Sequence, residues 1–289
     1  MNIDLHIHST ASDGTKTPAE LLSIASKKNL GAIALTDHDT VAGIPEFLIE
    51  SAKYPGIKAV PGVEISLKHY DYSIHAVGLF IDHKSDILND FLCGIRKGRS
   101  QRNEMIIMKL RKQGFEISLE DVNAEAGGES AGRPHFASIL VRKGYFSEPQ
   151  QAFDKCLKRG RSGYCDRELP LPSTAIDVIH RAGGIVVWAH PMSHIDADRR
   201  KLVKILKFLV DKGIDGIEAY YPSFSPEQNE YMLSLAEKYG LAVSGGSDFH
   251  GENMKGIDMG SGSGTLAVPY SVYEKLEEIS GKKRSAGNV

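Results

Sequence analysis

His6 and His8 stand two residues apart in the segment NIDLHIH, whose apolar alternation at Ile3, Leu5 and Ile7 reads as a β-strand. Both imidazoles therefore leave one face and can converge on a single ion. Asp13 follows in the next loop. Asp37-His38-Asp39 closes a second apolar run, Glu64 closes a third and His75 lies in a fourth. His190 ends GIVVWAH, and Asp248 with His250 ends AVSGGSDFH. Parallel βα architectures collect reactive groups at the carboxyl ends of their strands. Nearly every strand here delivers an acid or an imidazole to that edge. Imidazole and carboxylate without thiolate form a donor set for Mn²⁺, Fe²⁺ or Zn²⁺. The spacing predicts a divalent-metal centre.

The elements that carry these residues alternate. Asn2 to His8 is a strand, and Thr17-Pro18-Ala19-Glu20 supplies an N-cap, a first-turn proline and an early acid for a helix to about Asn29. Ala32 to Thr36 is a short buried strand, Ile44 to Ala52 a helix, and Ile57 to Glu64 and Tyr72 to Phe80 are strands. The rhythm resumes with helices over Thr174–Ala182, Arg199–Lys212 and Pro226–Tyr239, and strands over Gly184–Ala189, Ile214–Ala219 and Ala242–Gly245. Such alternation means βα units and a mostly parallel sheet. Strand signals vanish over residues 85–167, where apolar residues recur at helical spacing. The expected organisation is an α/β framework, residues 1–84 and 168–289, interrupted by an all-helical insertion, residues 85–167. Gly260 to Gly264 reads as a flexible connection, because it lacks the GK[ST] of a phosphate-binding loop. Lys282 to Val289 reads as a frayed tail.

Composition narrows the function classes. The 289 residues suit one large domain or two modest ones, and 41% hydrophobic with 25% charged residues is globular, not disordered. A formal charge of −2 argues against a chain held on nucleic acid by bulk charge, so no stable nucleic-acid complex is expected. No apolar stretch approaches the ~18–20 residues of a membrane span. No secretion leader precedes MNIDLHIHS, and Cys93, Cys156 and Cys165 lack CxxC spacing. Reduced thiols and a cytoplasmic location are expected. No sequence feature specifies an oligomeric state.

HIHSTASDG, ALTDHDT, PGVEIS, the GRPH of Gly132–His135, the AHP of Ala189–Pro191 and GSDFHG together resemble the motifs of the PHP (polymerase and histidinol phosphatase) phosphoesterases. The similarity runs from Met1 to about Tyr273, and its nearest subgroup acts on nucleoside 3′,5′-bisphosphates, with related exonuclease activity on short RNA ends. The resemblance implies a distorted (β/α)7 barrel holding three divalent metals, Mn²⁺ first among Mn²⁺, Fe²⁺ and Zn²⁺. Carried over residue by residue, His6, His8, Glu64 and Asp248 would hold the first ion, and Asp13, His38 and His250 the second. Glu64 would bridge to a third, completed by His75 and His190. Three ions against the carboxylates of Asp13, Glu64 and Asp248 leave the site about +3, which suits a phosphate dianion. Such ions lower the pKa of bound water to about 7, so the expected step is in-line attack by a metal-bridging hydroxide, with inversion at phosphorus. Thr36 and Asp39 flank His38 and read as groups that orient it.

The insertion carries Arg96, Lys97, Arg99, Arg102 and Asn103 on one helix, and Arg133 with His135 in GRPH. Arginine forks match phosphate, so Arg99, Arg102, Asn103 and Arg133 are expected to grip a 5′-phosphate while the metals hold the 3′ one. In the resembled subgroup the insertion lies over the barrel mouth. Arg96 and Lys97 read as a solvated face. His135 reads as a phosphate contact or a buried structural histidine. Tyr220, Tyr221 and Phe224 would stack on a base or wall the barrel. His69, His83 and His180 read as surface or packing residues, and His194 follows His190-Pro191 closely. Met192-Ser193 stand where the subgroup often carries Gly-Arg, which removes one expected substrate contact. The expected reaction is removal of the 3′-phosphate of a small nucleotide such as pAp, with short RNA ends as a related substrate. The alternatives are a histidinol-phosphate-type phosphatase, whose cationic substrate mismatches the arginines, and a non-catalytic metal-binding module serving a polymerase.

Overall fold

The computed structural model describes residues 1–70, 72–126, 131–193 and 198–287. Eight strands form one nearly closed sheet in the order β7-β6-β5-β4-β3-β2-β1-β8. β1 (Asn2–Ile7), β2 (Ala32–Leu35), β3 (Lys58–His69), β5 (Ile185–Ala189), β6 (Gly216–Tyr220) and β7 (Ala242–Gly245) share one direction. β4 (Tyr72–Leu79) runs against both neighbours, and the two-residue β8 (Val268–Pro269) runs against β1. Just past β7 the chain bridges to β1, with Asp248 N–H donating to His6 O at 2.9 Å and His8 N–H to Phe249 O at 2.9 Å. That closure makes a distorted barrel of the (β/α) type. It requires Gly246, since a Cβ there would sit 2.5 Å from the backbone nitrogen of His6.

Two expectations about the strands change. β3 continues to His69 and β4 starts at Tyr72, so the pair is a hairpin where the alternation suggested parallel neighbours. Two residues cannot make the long crossover that parallel strands need. Reversal leaves His75 on the active edge, because it sits near the start of β4, opposite Ser66. The single face expected of Ile3, Leu5 and Ile7 is also broken. Ile3 and Leu5 pack in one core and Ile7 in another, across a register shift between Asp4 and Ile7. Irregularities of this kind re-aim side chains beside active sites.

Helices α1 (Pro18–Lys27), α2 (Ile44–Ser51), α7 (Pro172–Arg181), α8 (Arg199–Asp211) and α9 (Pro226–Tyr239) bury apolar stripes in the larger core. The α1 stripe begins at the expected capping box, Thr17 with Glu20. α10 (Tyr270–Gly287) buries Val272, Tyr273 and Leu276 in the second core, with Ile3, Leu5, Val77 and Val187. Over its described residues α10 does not fray: it is pinned by Lys283 on Asp215 and by Arg284, whose guanidinium donates to the carbonyls of Gly183 and Phe80, while Asn288 and Val289 lie outside the described residues. The Gly260 turn is likewise fixed, its N–H donating to Asp4 Oδ2 at 2.7 Å.

Between β4 and α7 every regular element among the described residues is a helix: α3 (Asp86–Arg111), α4 (Leu119–Ala126), α5 (Arg133–Arg142), α6 (Pro149–Ala152) and a π-helical turn over Phe153–Leu157. They enclose a third core around Ile106, Leu110, Val122, Phe136, Leu140 and Leu157. The buried stripe of α3 reads Leu88, Leu92, Ile95, Arg99, Arg102, Asn103, Ile106, Leu110. Three polar residues thus occupy positions that neighbouring turns fill with leucine or isoleucine. Cys93, Cys156 and Cys165 are free thiols. Among the described residues no helix is long and apolar enough to cross a membrane.

Candidate metal centre

Nine predicted residues meet at one end of the barrel, in three overlapping clusters: His6, His8, Glu64 and Asp248; His8, Asp13, His38 and His250; and Glu64, His75 and His190. The sets follow the sequence expectation, with His8 shared between the first and second. His6 Nε2 lies 3.4 Å from both Glu64 Oε2 and Asp248 Oδ1, and His8 Nε2 lies 3.4 Å and 3.2 Å from the same two oxygens. Donor atoms each about 2.1 Å from a shared ion stand roughly 3–3.5 Å apart. In the second cluster Asp13 reaches His250 Nε2 at 3.2 Å and His38 Nε2 at 3.8 Å. Glu64 divides its oxygens. Oε2 faces His6, His8 and His38, while Oε1 lies 2.8 Å from His75 Nδ1 and 2.9 Å from His190 Nε2.

The donor set fits divalent ions. His6 Nε2, both ring nitrogens of His8, His38 Nδ1 and Asp248 Oδ1 are buried without a hydrogen bond among the described residues. Buried polar atoms are rarely left so, because each costs about 1–3 kcal/mol. Around them, polar groups hold the rings. Glu218 takes His6 Nδ1 at 2.8 Å and the backbone N–H of His190 at 2.5 Å. His250 Nδ1 donates to Asp248 O at 2.7 Å, which turns its Nε2 toward Asp13. Tyr221 donates its hydroxyl to Asp248 Oδ2 at 2.9 Å. Asp37 accepts from the hydroxyls of Ser9 and Ser12 at 2.6 Å each and so shapes the loop that carries Asp13. Such outer contacts orient metal-binding side chains. Asp39, His190 and Asp248 all take left-handed backbone, with φ of 57°, 30° and 54°. Strain of this kind collects at functional sites.

Charge in the centre is strongly coupled. Burial opposes ionisation of Glu64, yet His38, His75 and His6 hold its carboxyl well below the usual range. Burial would lower His250, but Asp13 and Asp248 raise it to about 10. Carboxylates likewise raise His6, His38 and His190. His8, desolvated and beside His250 and His38, is pushed down to about 3.

The cluster opens on a cleft of about 730 Å³ whose wall includes Arg99, Arg102, Arg133, Arg159, Tyr164 and Arg167. Asp39 answers part of this charge. Its Oδ2 accepts from Arg99 Nε at 3.1 Å and Arg167 Nη1 at 2.9 Å, and Arg96 donates to its carbonyl at 3.1 Å. Asp39 therefore ties the barrel to α3 instead of orienting His38, and Thr36 donates its hydroxyl to Ile7 O at 3.1 Å. Arg96 leaves the solvated face expected of it, whereas Lys97 stays exposed. Arg102 is 5% exposed, and its Nε and Nη2 have no hydrogen bond among the described residues. Burial, with Arg99, Arg167 and Arg133 nearby, depresses this guanidinium to about 8. Arg102 thus lines the cleft with two guanidinium nitrogens that have no partner among the described residues.

Other expected contacts fall elsewhere. His135 is buried, and its Nδ1 accepts the Gly132 N–H at 2.9 Å, capping α5. Asn103 is buried and donates to Ala131 O at 3.1 Å. Phe224 and Met192 join the main core. His69 packs on Phe208, and His180 pairs with Asp215 at 2.7 Å. His194 lies outside the described residues. Sequence reasoning passed over Arg167, Glu218 and the Tyr221 hydroxyl as site residues. Glu218 follows Ile217 near the end of β6 and carried the same signal as the predicted acids, while Arg167 lies in a loop with no motif.

Comparison with known proteins agrees with this geometry. The PHP domain model matches residues 4–158. The chain is 36% identical over 248 residues to the 5′-3′ exoribonuclease Rnm of Escherichia coli, covering 86% of this chain and 84% of that one. It is 32% identical to the 3′,5′-nucleoside bisphosphate phosphatase of Chromobacterium violaceum, covering 96% of both. A solved structure from Bifidobacterium adolescentis, assigned as a metal-dependent phosphoesterase, superposes with a TM-score of 0.84 at 30% identity, covering 95% of this chain and 94% of that one. Motif, geometry and similarity agree: the chain belongs to the PHP-domain family and is a metal-dependent hydrolase.

Proposed function

We propose that the chain removes the 3′-phosphate of nucleoside 3′,5′-bisphosphates such as pAp, leaving the nucleoside 5′-monophosphate, and that the same centre trims short 5′-phosphorylated RNA. The observation that carries this reading is one cleft joining the nine-residue cluster to Arg102, whose Nε and Nη2 have no hydrogen bond among the described residues. The names of the Chromobacterium and Escherichia relatives support the substrate class.

In this reading three divalent ions, Mn²⁺ first among Mn²⁺, Fe²⁺ and Zn²⁺, occupy the clusters. His6, His8, Glu64 and Asp248 hold one; Asp13, His38 and His250 hold the second with His8 alongside; Glu64, His75 and His190 hold the third. Bound there, divalent ions neutralise charge on the phosphoryl group and lower the pKa of bound water. No side chain need then act as nucleophile. Glu218 adds a fourth carboxylate that the sequence balance omitted, leaving the centre about +2 before the arginines, still suited to a dianion. Arg102, with Arg99, Arg133 and Arg167, receives the second phosphate through paired N–H donors. Asn103 and His135 hold the Ala131–Gly132 turn that presents Arg133. Residues 85–167 form the unit that carries this wall, and residues 1–84 and 168–289 the barrel.

The test is phosphate release by the Mn²⁺-loaded protein from pAp, 3′-AMP, 5′-AMP and histidinol phosphate. The expected result is pAp preferred by at least about tenfold, with 5′-AMP as product, and Arg102→Gln reducing that preference. Equal rates on pAp and the monophosphates would contradict the two-phosphate grip. A preference for histidinol phosphate would favour the cationic-substrate reading.

A further inference from the structure

The cleft extends beyond the cluster along the β3–β4 hairpin. Residues two apart on a strand share a face, so Glu64, Ser66 and Lys68 form one row, with His75 opposite Ser66 and Ser73 opposite Lys68. Ser66, Lys68, Tyr70, Ser73 and His75 all line the cleft. The other face is fixed by packing, since Ile65, Leu67 and Ile74 are buried at 0–1% exposure and His69 sits 4.6 Å from the Phe208 ring. By Lys68 the polar row has run about 13 Å from Glu64, at roughly 3.3 Å per residue. That reach exceeds what a single phosphate at the cluster needs.

Tyr70 ends the row. Its ring is 73% exposed and its φ is 50°, a conformation that hairpin turns usually give to glycine or asparagine. The ring is held edge-on to His69 at 4.9 Å, with Lys204 Nζ 6.0 Å from its centroid. An exposed aromatic at positive φ, beside Lys204 and opening on an arginine-lined cleft, offers a base-stacking platform.

We propose that the β3–β4 hairpin is a binding arm for a second nucleotide, with Lys68 taking the next phosphate and Tyr70 stacking on a base. The arm would hold the nucleotide that follows the one at the cluster, a contact that a mononucleotide bisphosphate cannot make. The proposal rests on the phosphoesterase reading for which end enters, and its test separates the two. Binding of 3′-fluorescein-labelled pApApA is measured by anisotropy on metal-free protein, with pAp as competitor, alongside Mn²⁺-dependent release of AMP from pApApA and of phosphate from pAp. The expected result is that Tyr70→Ala lowers trinucleotide affinity relative to pAp about tenfold while Tyr70→Phe retains the ratio. Lys68→Gln is expected to flatten the salt dependence of trinucleotide binding by about 0.7 in log–log slope. Ratios and slope unchanged in Tyr70→Ala and Lys68→Gln overturn the arm, even if both substrates are hydrolysed. Arm-dependent binding with no hydrolysis of either substrate keeps the arm and sinks the phosphoesterase reading.

Discussion

Glu64→Gln is expected to abolish hydrolysis, by about 10³-fold or more, and to strip the protein of most of its metal. Glu64 divides its two oxygens between imidazole sets, three on one side and two on the other. Glutamine keeps the shape but presents an N–H₂ where one set requires an anion. The fold should survive, because β3 is held by its ladders to β2 and β4 and not by this side chain. The protonation pattern gives a second readout. Carboxylates raise His6, His38, His190 and His250 above the ordinary histidine range, so ions entering at neutral pH displace protons, and metal affinity falls as pH falls. Losing Glu64 removes a raising charge from His6, His38 and His190. Calorimetry in two buffers of different ionisation enthalpy should show fewer protons released per ion in the variant. Retention of metal, with activity within tenfold of wild type, would contradict the bridging role.

Asp39→Asn should cost about 3–5 kcal/mol of stability, because it removes one partner of a buried pair and leaves Arg99 and Arg167 facing each other uncompensated. Burial alone would raise the Asp39 carboxyl, but Arg99, Arg167 and His38 hold it far below the ordinary range. A depressed carboxyl stabilises the fold fully above its unfolded value near 3.9, and the gain is lost as pH falls through the folded value. The deficit of Asp39→Asn, read by urea denaturation, should therefore be constant from about pH 5 to 8 and shrink only in strong acid. Inorganic phosphate should raise the melting temperature of the variant more than that of wild type, since it replaces the missing counter-charge. A deficit below about 1 kcal/mol would mean that the arginines already find water or other partners.

The candidate cluster was legible because most of its residues close short apolar runs, which sets them at one edge whatever the sheet order, although β3 runs on past Glu64 to His69. The antiparallel β4 did not disturb it, since a hairpin returns His75 to the same edge. Less was legible where the decisive fact is which of two buried partners a side chain chooses. Asp39 adjoins His38 in sequence, yet a left-handed backbone swings its carboxylate toward α3. Arg99, Arg102 and Asn103 could be placed on one helix face, but only packing reveals that Asp39 pairs with Arg99 while Nε and Nη2 of Arg102 have no hydrogen bond among the described residues. Arg167 and the Tyr221 hydroxyl come from segments with no periodicity, and contacts across more than 25 residues of chain leave no local pattern.

In the proposed reading, three overlapping sets of side chains each hold an ion. The most direct measurement is anomalous diffraction at the manganese edge from crystals of Mn²⁺-loaded protein. Three peaks are expected: one between His6, His8, Glu64 and Asp248, one by Asp13, His38 and His250, and one by Glu64, His75 and His190. Manganese bound only outside these clusters, or no peak at Glu64, would contradict that reading.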